Sequence, residues 1–109
     1  MDNETLDVTL EQISHWDQEQ ILYIDTRGSI SYGHGHIEHA VLLKNIYDLR
    51  KSIPYEESKK YIIYCTYGET SRQIVSELRN MGYEAYNLKG GYRAWLLNKA
   101  SDEEKDELV

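Results

Sequence analysis

The chain contains one cysteine, Cys65, followed by the polar, glycine-containing stretch Thr66-Tyr67-Gly68-Glu69-Thr70-Ser71. That setting suits nucleophilic sulfur chemistry. The thiolate is the attacking species, and N–H donors at a helix amino terminus lower the thiol pKa below its free value of about 8.5. Gly68 permits a backbone turn that strains other residues, so that successive loop N–H groups can form a nest around an anion on the sulfur. A free cysteine is also commonly a small buried hydrophobe, but burial alone does not account for the polar turn that follows. A single cysteine forms no internal disulfide and has no resolving partner, so a covalent sulfur intermediate on Cys65 must be resolved by an external acceptor. Asp25 and Arg27 form a second cluster. Asp25 suits a structural ion pair and hydrogen bonds from a turn, while the planar guanidinium of Arg27 suits an oxyanion. His34, His36 and His39 form a third, but Gly33 and Gly35 read as a turn rather than a rigid ligand-bearing helix. With no second cysteine to complete a ligand set, a metal site is not expected.

The elements that must position these residues follow from the apolar pattern. Tyr61-Ile62-Ile63-Tyr64 is short, β-branched and aromatic, as expected of a strand buried on both faces of a parallel sheet. Cys65 then lies at that strand's carboxyl end. Ile74, Val75, Leu78 and Met81 recur at helical spacing after a hydroxyl cap at Thr70 or Ser71, and Gly82 ends the helix. Ile21 to Asp25 is a second buried strand. Ligands of open α/β sheets bind beyond the carboxyl ends of the strands, so Asp25, Arg27 and Cys65 are expected at one rim. Along the rest of the chain, Asp7-Val8-Thr9 reads as an edge strand, and Thr9 and Gln12 as a capping box for a helix with Leu10, Ile13 and Trp16 on its apolar face. Ala40 to Leu43 reads as a short strand and Ile46 to Leu49 as the start of a small helix that Pro54 interrupts. Residues 54–60 form a solvated connection. Glu84 to Leu88 is the last strand, and Gly90-Gly91 opens a helix that places Tyr92 and Trp95 in the core. The alternation predicts one α/β domain with a mostly parallel five-stranded sheet and helices on both faces.

Four segments, in order, resemble the rhodanese-like sulfurtransferase family: Asp25-Thr26-Arg27, Tyr32 to Ala40, the loop Cys65 to Ser71, and Gly90-Gly91-Tyr92-Arg93-Ala94-Trp95. The resemblance implies a three-layer α/β/α fold. It implies that Cys65 is catalytic and carries sulfane sulfur as a persulfide. Thr66, Tyr67, Gly68, Glu69, Thr70 and Ser71 would form the substrate loop, with Arg27 beside an anionic substrate and Asp25 and His36 as structural supports. No metal or organic cofactor is implied. The partners implied are a sulfur donor and a thiol or protein sulfur acceptor.

Two departures from the family pattern stand out. His39 occupies a position where glycine is common, so the backbone there must tolerate a side chain or bend differently. The loop lacks the positive residues common in enzymes that act well on thiosulfate and carries Glu69 instead, which disfavours a dianionic donor. A protein or small-molecule persulfide is the expected donor, with Tyr67 supplying either a hydroxyl or an apolar contact at the mouth. Related phosphatases and arsenate reductases have a loop one residue longer, with arginine six positions after the cysteine; here that position is Ser71 and Arg72 comes one later. A non-catalytic interaction domain within a larger sulfur-handling or adenylating protein is the other alternative.

At 109 residues, with 40% hydrophobic and 28% charged residues, the chain is one globular domain, assigned to 1–100 with an acidic tail or linker at 101–109. Net charge is -7, of which the tail carries -4. The mildly acidic remainder argues against a general nucleic-acid surface. No apolar run approaches a membrane span, and the free thiol suits a reducing, cytoplasmic setting.

Overall fold

A computed structural model describes residues 6–45, 47, 51 and 55–108, with residues 102–108 as backbone only. Five strands form one sheet: β1 (Asp7–Val8), β2 (Ile21–Asp25), β3 (Val41–Leu42), β4 (Lys60–Tyr64) and β5 (Ala85–Leu88). Their order is β1-β5-β4-β2-β3, and every pairing is parallel, so the mostly parallel sheet that the pattern predicts is parallel throughout. The cysteine strand β4 lies at the centre, as its two-sided burial requires. Side chains alternate across it with period two. Tyr61 and Ile63 join one core with Ile24, Val75, Leu78 and Ala85, whereas Ile62 and Tyr64 join a second with Val8, Ile13, Ile37 and Leu88. Burying an aliphatic side chain of this kind contributes about 1.5–3 kcal/mol.

The helices are α1 (Leu10–Ser14), α2 (Ser29–His34), α3 (Ser71–Asn80) and α4 (Gly91–Leu108). Helix α3 covers the first core through Ile74, Val75 and Leu78, while α1 and α4 cover the second, α4 through Tyr92 and Trp95. The result is an α/β/α sandwich. The capping box at α1 is present: Thr9 Oγ1 accepts from Gln12 N–H at 3.1 Å, and Gln12 Oε1 accepts from Thr9 N–H at 2.8 Å. Helix α3 ends as expected at Gly82, φ +96°, where Tyr83 N–H reaches back to Leu78 O and Gly82 N–H to Arg79 O in a Schellman arrangement.

Three local expectations need correction. Residues 29–34 are helical, with Gly33 inside the helix, and the turn begins at Gly35. This six-residue helix has no side-chain cap. Tertiary contacts hold it, since Tyr32 OH donates to Ala40 O at 2.7 Å and the Tyr32 ring stacks on His36. Neither Thr70 nor Ser71 caps α3 through its side chain; Thr70 already has helical φ and ψ, and the Ser71 hydroxyl is used elsewhere. The strand boundaries also shift slightly, with β4 starting at Lys60, β5 at Ala85, and Thr9 leaving the sheet to cap α1. The small helix expected from Ile46 to Leu49 and its interruption at Pro54 lie outside the described residues, apart from Tyr47. Helix α4 runs without a break past residue 100 to Leu108. Among the described residues no helix is long and apolar enough to cross a membrane.

Candidate active site

Cys65 leaves the end of β4 and is 6% exposed. The loop behind it turns at Gly68, φ +87°, where a side chain would press on Leu88 O at 2.9 Å and Gly90 N at 3.0 Å. Its floor is the start of α4. Tyr92 N–H donates to Cys65 O at 2.8 Å and Arg93 N–H to Thr66 O at 3.1 Å, so the first turn of α4 finds its partners in the loop. Because N–H and C=O point oppositely across a trans peptide, the N–H groups of Thr66 and Tyr67 are aimed away from α4. This approach needs glycine at 91: φ is +61°, and an added Cβ would lie 2.5 Å from Cys65 O and 2.7 Å from Thr66 O.

The sulfur lies within this frame. Gly68 N–H donates to Sγ at 3.1 Å, and Ser71 Oγ is 3.3 Å from Sγ. Burial pushes the Cys65 thiol up, but hydrogen bonds from the hydroxyls of Ser71 and Thr70 and from the N–H groups of Ser71 and Gly68 outweigh it and bring the pKa to about 7. A substantial fraction is therefore thiolate near neutrality. The same Ser71 hydroxyl, which has a single proton, is also within hydrogen-bond reach of Asn87 Oδ1, so the thiolate and the amide oxygen compete for it. Asn87 in turn donates to Gly68 O and Asp7 Oδ1, each at 2.9 Å. Asp7 is paired with Arg72 at 2.8 Å. Burial raises the Asp7 pKa, but the hydrogen bonds from Arg72 and Asn87 and the charge of Arg72 hold it below the usual value.

Asp25, at the end of β2, is fully buried and accepts from Arg27 N–H (2.8 Å), from Arg27 Nε and Nη2 (3.1 and 2.7 Å) and from Tyr64 OH (2.9 Å). Arg27 Nη2 also donates to Gly35 O, and the guanidinium stacks over Tyr92 at 4.0 Å. Burial pushes the Tyr64 phenol above its ordinary value, and its bond to Asp25 adds to the rise. His36 Nδ1 lies 2.8 Å from Tyr32 O; a carbonyl only accepts, so Nδ1 carries the proton. His39 adopts φ +66° with an exposed side chain, so the backbone keeps a conformation that glycine would favour. No cluster that could hold a metal is present among the described residues.

A pocket of about 370 Å³ opens over the sulfur, lined by Cys65, Thr66, Tyr67, Glu69 and Thr70 from the loop and by Thr26 and Arg27 from the end of β2. Most of the loop residues expected from the sequence meet there with Arg27. Gly68 and Ser71 hydrogen-bond to the sulfur without lining the pocket, Asp25 holds Arg27 at its wall, and His36 is not among the lining residues, its contacts being with Tyr32. The sequence reading missed Asp7, Asn87 and the hydroxyl of Tyr64. Asn87 had a signal: it is an amide between aromatic and aliphatic neighbours in a strand, where asparagine is depleted.

A central parallel strand ending in a cysteine loop, with a helix amino terminus on either side, defines a cysteine-centred α/β domain. The sequence matches the Rhodanese-like domain family over residues 9–98, and the chain belongs to that family. It is 33% identical to the thiosulfate sulfurtransferase GlpE of Pseudoalteromonas translucida, across 72% of this chain and 76% of that protein. It is 34% identical to the tRNA uridine(34) hydroxylase of Buchnera aphidicola, across 74% of this chain but only 28% of that protein. The chain thus spans a little over a quarter of that relative's length. A crystal structure of thiosulfate sulfurtransferase from Pseudomonas aeruginosa superposes with a TM-score of 0.74 at 21% identity, covering 85% of this chain and 18% of that one, which shows the shared fold.

Proposed function

We propose that the domain is a sulfurtransferase or sulfur carrier in which Cys65 takes sulfane sulfur and passes it to an acceptor. The observation that supports this best is the sulfur's setting, with Gly68 N–H at 3.1 Å, a hydroxyl at 3.3 Å and a thiol pKa of about 7 at the floor of an open pocket. The Cys65 thiolate attacks the outer sulfur of a donor R–S–S⁻. The new Cys65 S–S bond forms as the donor's S–S bond breaks, and the donor leaves as a thiolate that takes up a proton. An acceptor nucleophile then attacks the outer sulfur of Cys65–S–S⁻ and releases the Cys65 thiolate. Both steps are displacements with no net oxidation of the pair, and the fixed loop N–H groups oppose the negative charge in each.

The rim argues for the donor. Arg27 is held by Asp25 and Gly35, and Arg72 is paired with Asp7 although its charge is also felt at Glu69 and Cys65, so among the described residues that line the pocket Glu69 carries the formal charge without an ion pair of its own. Dianionic thiosulfate is disfavoured by that charge, and a protein or small-molecule persulfide is the better donor. Phosphatase chemistry fits poorly, because the sixth position after Cys65 is a buried serine engaged with Asn87 and the following arginine is turned to Asp7. A rhodanese-like domain acting within a larger protein is the second reading, favoured by the 28% coverage of the tRNA uridine(34) hydroxylase. A free, partly ionised thiol suits the reducing cytoplasm.

Steady-state transfer to cyanide or a thiol, compared for cysteine persulfide and thiosulfate, tests the proposal. Turnover with persulfide that vanishes in Cys65→Ser is expected. Absence of turnover with both donors, together with specific binding of a partner, would favour the interaction-domain reading.

A further inference from the structure

Ser71 and Asn87 are both fully buried, and their hydrogen bonds leave little freedom in where the protons lie. The two protons of Asn87 Nδ2 go to Gly68 O and Asp7 Oδ1, a carbonyl and a carboxylate that Arg72 keeps ionised. The carboxamide orientation is thereby fixed, and Oδ1 is the acceptor that faces Ser71. A serine hydroxyl has one proton. With that proton on Asn87, Ser71 turns a lone pair towards Cys65 Sγ, 3.3 Å away. A Cys65 thiol satisfies this arrangement by donating to Ser71. A thiolate does not: it needs a donor, and Ser71 can serve only if its hydroxyl rotates and leaves Asn87 Oδ1 unpaired in a site shielded from water.

We infer that Asn87 is a positioning residue for Cys65, holding the Ser71 proton while Sγ is uncharged and yielding it to the sulfur when Sγ carries charge. Within the sulfur-transfer reading, on which its consequence for turnover rests, charge reaches Sγ twice, before attack on the donor and again when the outer sulfur departs. Between those events the charge lies on the outer sulfur of the persulfide, and the Ser71 proton returns to Asn87. The hydroxyl thus follows the charge, and Asn87 sets how readily the resting thiol ionises. The other groups facing the sulfur are the Gly68 N–H, the Thr70 hydroxyl and Glu69 from the loop, the Ser71 N–H and Arg72 of α3, the latter paired with Asp7 of β1, Arg27 paired with Asp25 at the end of β2, and the first turn of α4 bound to the loop carbonyls; none of these shares its proton with Asn87 as Ser71 Oγ does.

The test is the midpoint of Cys65 ionisation, read from the pH dependence of iodoacetamide alkylation by intact mass. Ser71→Ala should raise the midpoint by about one unit, the scale of one hydrogen bond to a charged group. Asn87→Leu should lower it, and in the Ser71→Ala background the same change should do nothing further. A midpoint that Ser71→Ala leaves in place or lowers would overturn the inference, as would an Asn87→Leu shift of equal size with and without Ser71. Should Asn87→Leu fail to fold, the Asn87 carboxamide NMR resonances of the native chain serve instead. They should titrate with the Cys65 midpoint and become flat in Ser71→Ala, and equal titration in both would overturn the inference. No measurement here uses a sulfur donor, so its outcome is independent of whether transfer occurs.

Discussion

The floor and the rim of the Cys65 loop are built differently. At the floor, Gly68, Ser71 and Gly91 are buried and each backbone approach has a fixed partner: Tyr92 and Arg93 N–H on the loop carbonyls, Asn87 on Gly68 O, Gly68 N–H on the sulfur. At the rim, Thr66, Tyr67, Glu69 and Thr70 are exposed, Tyr67 to 62%. The floor, with the Thr70 hydroxyl as the one contribution from the rim, supplies the hydrogen bonds that let the sulfur ionise. The rim determines which charge and shape can approach it. Here the floor retains what a thiolate needs, while the rim carries a carboxylate where a dianion acceptor would place a cation.

Breaking the floor should have the largest effect. Gly91→Ala sets a Cβ against Cys65 O and Thr66 O at φ +61°, and unfolding in denaturant should show a loss of about 2–3 kcal/mol together with much slower alkylation of Cys65. If stability and thiol reactivity are both retained, the close approach of α4 is not what holds the loop.

Changing the rim should affect the donor and not the thiol. Glu69→Arg should raise thiosulfate turnover roughly tenfold at low ionic strength, with the gain shrinking as salt is added and the alkylation rate little changed. A gain that salt does not touch would remove electrostatic exclusion as the explanation.

The smallest effect is expected away from both. His39→Gly relieves a left-handed conformation at an exposed side chain and should stabilise the fold by about 0.5 kcal/mol, after the greater freedom of glycine in the unfolded chain is subtracted. A loss of stability would mean that the His39 side chain contributes a contact that outweighs the backbone relief.

The same contrast separates what the sequence disclosed from what it did not. Strands β2 and β4 were legible because burial on both faces leaves an uninterrupted apolar run, and the Cys65 loop because glycine and hydroxyl residues stand between a strand pattern and a helix pattern. Helix α2 was hidden: Gly33 and Gly35 read as a turn, and the contacts that hold the helix come from Ala40 and His36. The Asn87 network was hidden for a different reason. It depends on the β1–β5 register that sets Asp7 beside Asn87, residues far apart in sequence, and on the packing of α3 that brings Ser71 to Asn87 and Arg72 to Asp7. Arg27 illustrates the limit of residue type as a guide, since the guanidinium that suits an oxyanion lies at the pocket wall already bound to Asp25.

The most direct test of the central claim is intact-mass measurement of the chain after incubation with a persulfide donor across pH. The account predicts one added sulfur on the native chain, removed by cyanide or a thiol, and none on Cys65→Ser that remains folded. Because the attacking species is the thiolate and the thiol pKa is about 7, the loading rate should rise with pH through that value and level off above it, once ionisation of the donor has been corrected for. No added sulfur from persulfide, polysulfide or thiosulfate at any pH, or loading that survives Cys65→Ser, would contradict it.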